Sequence, residues 1–136
     1  MALHNYSTDA FVTTVNGRPI TDWGETDPPY TDDPIDPRSA LRRGRGGNAI
    51  RTDRKNPGRQ VTLNLNPGGP DSAYIQGLFE SNATVTLSRQ QIGTLEQAVG
   101  VEGVIVNDGT VGRGSDSISD DQFIIEFNGW TATKGG

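Results

Sequence analysis

The sequence predicts a small, mainly β fold, a sandwich or barrel with one flanking α-helix and a long extended loop. Three observations carry that expectation. Short runs alternate apolar and polar residues at period two, and turn dipeptides separate them. A single stretch, about residues 71–81, has helical periodicity. Eighteen glycines and eight prolines in 136 residues, with 32% apolar, make a loop-rich chain that is poor in core. The length suits one domain spanning 1–136. Part of that domain is expected to order only against a neighbour.

The elements follow in chain order. Asp9–Val15 alternates, and Asn16-Gly17 is the dipeptide that two-residue hairpin turns prefer, because both residues tolerate positive φ. A short return strand, Arg18–Trp23, completes a hairpin. From Gly24 to Asn48 the periodicity stops, and four prolines and four glycines interrupt the chain. A structureless loop of that length is functional or disordered. Ordering it costs about 1–2 kcal/mol per residue, which Tyr30, Ile35 and Leu41 cannot offset alone. Residues 24–48 therefore read as an arm that packs on another subunit; the alternative is an unpacked tether. Ala49–Thr52 is a short strand. Arg59–Leu65 is a clear one, with Val61, Leu63 and Leu65 inward. Pro70-Asp71-Ser72 opens the helix, since Pro suits a first helical position and Asp or Ser can cap free amides. Tyr74, Ile75, Leu78 and Phe79 form its apolar stripe, and Asn82 ends it. Ala83–Arg89 points Val85 and Leu87 inward. Thr94–Val101 and Gly103–Asn107 read as two further strands, 111–119 as a loop, and Gln122–Phe127 as the last strand. Trp130 lies beyond it, and Lys134-Gly135-Gly136 is a tail.

Charge is blocked along the chain. Residues 1–37 carry seven acids and one base, 38–59 eight bases and one acid, and 60–136 nine acids and three bases. Identical copies can use such blocking, the acidic part of one meeting the basic part of the next. Head-to-tail contacts of that kind give rings or filaments, and long-range charge orients the partners. Arg42, Arg43 and Arg45 are the candidate interface bases, with Asp32, Asp33 and Asp36 the candidate acids they meet.

Catalytic chemistry has little to work with. There is no cysteine, which excludes disulfides and thiolate metal sites. His4 is the lone histidine, so neither a usual zinc site nor a Ser-His-Asp arrangement can be built. Asp32-Asp33 and Asp120-Asp121 are adjacent acids of the solvated kind rather than acid–base pairs. Asp116, Asp120 and Asp121 lack Ca²⁺-loop spacing. No enzyme activity and no cofactor are expected. No 18-residue apolar run is present, so no transmembrane helix is expected, and the N-terminal MALHNYSTDAF is unlike a signal peptide. Assembly in a cytoplasm is the expectation. Arg42-Arg43-Gly44-Arg45-Gly46-Gly47 keeps one alternative open, a nucleic-acid-binding module using 38–59. No aromatic residue interleaves there, and the rest of the chain is acidic.

Gly58-Arg59-Gln60-Val61-Thr62-Leu63-Asn64-Leu65, a Gly/Pro/Ser turn, and Asp71-Ser72-Ala73-Tyr74-Ile75-Gln76-Gly77-Leu78-Phe79 together resemble the tail tube proteins of contractile-tailed bacteriophages. So do EGVIVNDG (102–109), DDQFIIEFNGW (120–130), and the opening Tyr6-Ser7, Val15-Asn16-Gly17 and Ile20. The order of elements carries the resemblance over most of the chain. It implies hexameric rings, stacked into a hollow tube inside a contractile sheath, with DNA passing through the lumen. Tail sheath and baseplate or terminator proteins are the implied partners, DNA the transient cargo, and the virion tail the implied location. Extended loops and termini would join stacked rings. Tube proteins of type VI secretion and of tail-like bacteriocins share the architecture. A lumen that passes DNA should be acidic or neutral, because each phosphate held by Lys or Arg adds affinity through counterion release. Thr62, Asn64, Thr84, Thr86, Ser88 and Glu126, on polar strand faces, are the lumen candidates.

Overall fold

The structure, a computed structural model, describes residues 10–134. His4, the Tyr6-Ser7 pair, Asp9 and the predicted glycine tail lie outside the described residues. The elements are β1 (Phe11–Val15), β2 (Arg18–Ile20), β3 (Tyr30–Pro34), β4 (Ser39–Arg43), β5 (Ala49–Asp53), β6 (Arg59–Leu65), α1 (Pro70–Glu80), β7 (Thr84–Gln91), β8 (Glu96–Asn107) and β9 (Asp121–Lys134). Seven strands form one antiparallel sheet in the order β2-β1-β7-β8-β9-β6-β3, and β4 and β5 pair apart from it. The fold is mainly β with one helix, as expected.

The sheet curls into a half-barrel. Phe11 on β1 and Tyr30 on β3 lie near opposite edges of the strand order, yet their rings are 5.3 Å apart. After β2 the chain crosses the open side. Trp23 forms a bridge with Leu65, and the Asn66 N–H donates to the Asp22 carbonyl at 3.0 Å, so this segment lies beside the last residues of β6, beyond the end of β3. The predicted return strand therefore stops at Ile20, because its last residues leave β1 for β6. The concave side holds the core, including Val15, Val61, Leu63, Leu65, Val85, Leu87, Phe123, Ile125 and Phe127, all at most 2% exposed. α1 closes it with Ile75, while Tyr74, Leu78 and Phe79 pack half-buried.

Local chemistry explains most boundaries. Asn16 and Gly17 take φ of 51° and 83°, the pair that a two-residue hairpin needs. Asn82, at φ 55°, ends α1 in the left-handed region. Asp71 and Ser72 do not cap α1. Their side chains turn to other strands, as described below. The two strands expected at 94–101 and 103–107 are one. Glu102, at φ 55°, makes an irregularity that keeps Gly100 and Gly103 both inward, so the alternation reads as broken although pairing continues. A side chain at Gly103 would collide with the Phe127 ring. β9 likewise runs past Phe127 through Trp130 to Lys134, since β8 offers it a partner over that length.

The arm is not structureless. Residues 30–34 pair with β6 as an edge strand, and 39–43 pair with 49–53 in a hairpin. Tyr30-Thr31-Asp32-Asp33-Pro34 has no apolar alternation, and the hairpin carries Leu41 on one face and Ile50 on the other. Neither gives the usual strand signal.

Strand ends sort to two poles. β6 starts at the hairpin and ends near α1; Arg59 is opposite Phe127 and Leu65 opposite Asp121. Seven residues of strand separate the poles by about 20 Å. The hairpin, the β7–β8 turn and the end of β9 lie toward one pole. The start of α1 and the β8–β9 loop, residues 108–120, lie toward the other.

Candidate assembly interface

Three arginines stand on the main sheet, Arg18, Arg59 and Arg89, and all three share the inward parity of core residues. A carboxylate holds each. Asp32 takes Arg59 at 2.9 Å and Arg89 at 2.8 Å, both through Nε. Arg59 is on Oδ1 and Arg89 on Oδ2, and the Tyr30 hydroxyl donates to that same Oδ2 at 2.8 Å. Arg89 also reaches Glu96 at 3.5 Å. The Asp32 side chain is 6% exposed and that of Arg89 12%. Burial opposes the Asp32 charge, but the bonds from Arg59, Tyr30 and Arg89 outweigh it and hold the carboxyl below the usual range. Burial, then the Asp32 charge, pushes the Tyr30 hydroxyl well up. Arg89 is buried too, yet Asp32 raises its pKa.

Arg18 pairs with Asp71 at 3.1 Å. Asp71 also accepts the backbone N–H groups of Thr21 and Asp22, each at 2.9 Å, and so ties α1 to the end of β2. Burial works against its charge, but those two N–H groups and Arg18 keep its pKa low. Ser72 bonds the Asp121 carboxylate, which ties α1 to β9.

With those arginines turned inward, the outer face of the seven-stranded sheet carries no Lys or Arg among the described residues. One row crosses five strands: Thr84, Val104, Glu126, Gln60 and Asp33. Thr62 and Thr86 share this face, and Ser88 does too, its hydroxyl bonded to that of Thr14. Thr86 takes the Asn16 amide oxygen on its N–H at 2.8 Å. Val99, Val101, Val104 and Val106 stand exposed along β8. Five of the six lumen candidates thus share one face of the sheet. Asn64 is apart: it is 7% exposed, covered by the 22–29 crossing, and its side-chain amide donates to the Pro29 carbonyl at 3.3 Å.

The interface candidates also divide. Arg42 and Arg43 lie on β4, and Arg45 in the turn closed by the Gly44 N–H to the Asn48 carbonyl at 2.8 Å. Every residue of β4 and β5 is exposed, Leu41 and Ile50 each at 60%. No ion pair engages Arg38, Arg42, Arg43, Arg45 or Lys55 among the described residues. Asp33 is exposed on the edge strand, and Asp36 sits 3.8 Å from Arg54. Asp32 is different. Its carboxylate is engaged inside its own chain, so it has no free side to offer a neighbour's arginines. Sequence reading missed this, although the signal was there: Arg59 and Arg89 continue the inward alternation of 61-63-65 and 85-87.

Among the described residues, no group of three or more His, Asp or Glu side chains is placed to hold a metal ion. No helix among them is long and apolar enough to cross a membrane.

No protein-family model matches the chain, nor does any curated protein. Solved structures do match its fold. The tube-terminating cap of the anti-feeding prophage aligns over 99% of this chain and 95% of its own, at 13% identity and a TM-score of 0.60. The sheath/tube terminator of an extracellular contractile injection system, PVC, aligns over 98% and 99%, at 11% identity and 0.61. A chain of that system's extended sheath–tube complex aligns over 96% and 92%, at 11% and 0.56. The described domain therefore has the fold of proteins in contractile injection assemblies.

Proposed function

We propose that this chain is a structural subunit of a contractile phage tail, forming hexameric rings that stack into the tube through which DNA passes. The observation that carries this reading is the outer sheet face, five strands wide and free of cations, in a chain with twelve of them. A surface that DNA must slide along needs that property. Most of the cations are held by carboxylates or set out on and beside the hairpin, Lys134 stands at the end of β9 opposite Glu96, and β2 and β3 leave strand edges that a ring of neighbours would cover.

The hairpin supports assembly from a second side. A lone two-stranded hairpin is marginal in water, and this one has no packed face in the monomer. Against a neighbour, Leu41 and Ile50 would be buried and the free arginines would meet acids such as Asp33, which has no ion pair among the described residues of its own chain. The names of the cap and terminator structures favour a second reading, a ring that ends a tube. A terminator presents one dead-end face, whereas a head-to-tail contact between the two poles would let stacking continue.

Electron micrographs and light scattering over a concentration series test the proposal. Rings that stack into tubes are expected. Single rings that never stack would favour the terminator, and a persistent monomer would overturn both. Replacing Arg42, Arg43 and Arg45 with Glu should block assembly while circular dichroism stays unchanged. Salt-sensitive binding of the wild-type hairpin to DNA, without assembly, would restore the nucleic-acid-binding reading.

A further inference from the structure

A cleft of about 470 Å³ opens at the base of the hairpin, between it and the end of the main sheet. Pro37, Pro57 and Trp130 give it rigid apolar walls, and Arg38, Lys55 and Arg59 give it positive charge. Asp32 neutralises Arg59. Asp36, also on the wall, is paired by Arg54. Arg38 and Lys55 remain unpaired.

The β8–β9 loop at the other pole is a preformed knob. Its neck is closed by the Gly112 N–H to the Ser119 hydroxyl at 2.8 Å and the Ser119 N–H to the Gly112 carbonyl at 3.2 Å. Arg113 folds back on the Asp121 carboxylate at 2.9 Å and on the Ser119 carbonyl at 3.1 Å. A tight turn between Ser115 and Ser117 leaves Asp116 at the tip. Asp120 is occupied by the Thr26 N–H at 2.7 Å. Asp116 is therefore the acid at the tip itself, without an ion pair among the described residues, and Ile118 stands nearby, 53% exposed.

We propose that the Asp116–Ile118 knob of one copy docks in the hairpin-base cleft of a second copy, Asp116 against Arg38 and Lys55 and Ile118 against Trp130 and the prolines. This rests on the assembly reading above and names the contact that would stack one ring on the next. The poles lie at opposite ends of β6, so a chain cannot fill its own cleft. The contact is heterologous and repeats along an axis. Both parts are ordered before they meet, which lowers the entropy cost of association. Charge complementarity fixes the register.

A mixing experiment decides it. The R38E/K55E variant has an acidic cleft and an acidic knob. The Asp116→Arg variant has a basic cleft and a basic knob. Each alone should need a protein concentration about tenfold higher, or more, to form tubes. An equimolar mixture should assemble near the wild-type concentration, because the two can alternate. A folding defect would not be rescued by mixing. R38Q/K55Q and Asp116→Asn, which only remove charge, should raise the threshold by less. Either charge-reversed variant assembling alone like the wild type, or a mixture of folded variants that stays unassembled, overturns this contact and leaves the tube reading standing. A wild-type chain that never assembles overturns the reading and the contact together.

Discussion

The half-barrel and the hairpin spend the same residue type in opposite ways. In the body, Arg18, Arg59 and Arg89 point toward the core and are bonded to Asp71, Asp32 and Glu96. On the hairpin, Arg42, Arg43 and Arg45 are exposed and unpaired. Buried arginines cost folding free energy unless a carboxylate meets them. Exposed ones cost little and contribute little. The body's charges thus act on stability, and the hairpin's have no work to do until a partner arrives.

Substitutions can break that contrast. The largest effect is expected in the core. Phe127, 1% exposed and packed on Gly100, Gly103 and Trp130, should lose about 3–5 kcal/mol of unfolding free energy as Ala, in chemical denaturation. Two adjacent acids sharpen the comparison next. Asp32→Ala leaves Arg89 and Arg59 without their carboxylate and should cost about 3 kcal/mol. Asp33→Ala, one residue on and facing out, should stay within about 0.5 kcal/mol. Equal effects would mean that the Asp32 cluster does not hold the sheet's curl.

Acid should separate the regions further. Asp32 and Asp71 have folded pKa values below the ordinary carboxylate value of about 3.9. Below that value the unfolded chain binds protons that the folded chain still refuses. The stabilisation is complete above about pH 4 and is lost as pH falls through the folded values. Thermal unfolding between pH 2 and 6 should show this, and Asp32→Asn with Asp71→Asn should flatten the slope. The smallest stability effect belongs to the hairpin: Arg42→Ala or Leu41→Ala should shift unfolding of the monomer by at most about 0.5 kcal/mol, while tube formation weakens and becomes easier to disrupt with salt.

The half-barrel was legible where one face meets the core. Val61-Leu63-Leu65, Val85-Leu87 and Phe123-Ile125-Phe127 announce their strands, and α1 lies within a residue of its expected span. β3 and β4 were not, because their pairing is set by partners elsewhere in the chain rather than by an apolar face of their own. The length of β8 was hidden by the Glu102 irregularity. Alternation put Thr62, Thr84, Thr86, Ser88 and Glu126 on one face, but it could not reveal the 22–29 crossing that covers Asn64. It also could not show that Asp32 meets arginines from two strands, since that depends on the curl.

A cryo-EM reconstruction of the assembled protein tests the central claim most directly, because it shows which surface faces the channel. The expected map is a ring whose channel is lined by the outer sheet face, with Thr84, Thr86, Ser88, Thr62 and Glu126 toward the axis and the β4–β5 hairpin packed against a neighbouring subunit. A channel lined by Arg42, Arg43 or Arg45, with the outer sheet face turned away from the axis, would contradict it.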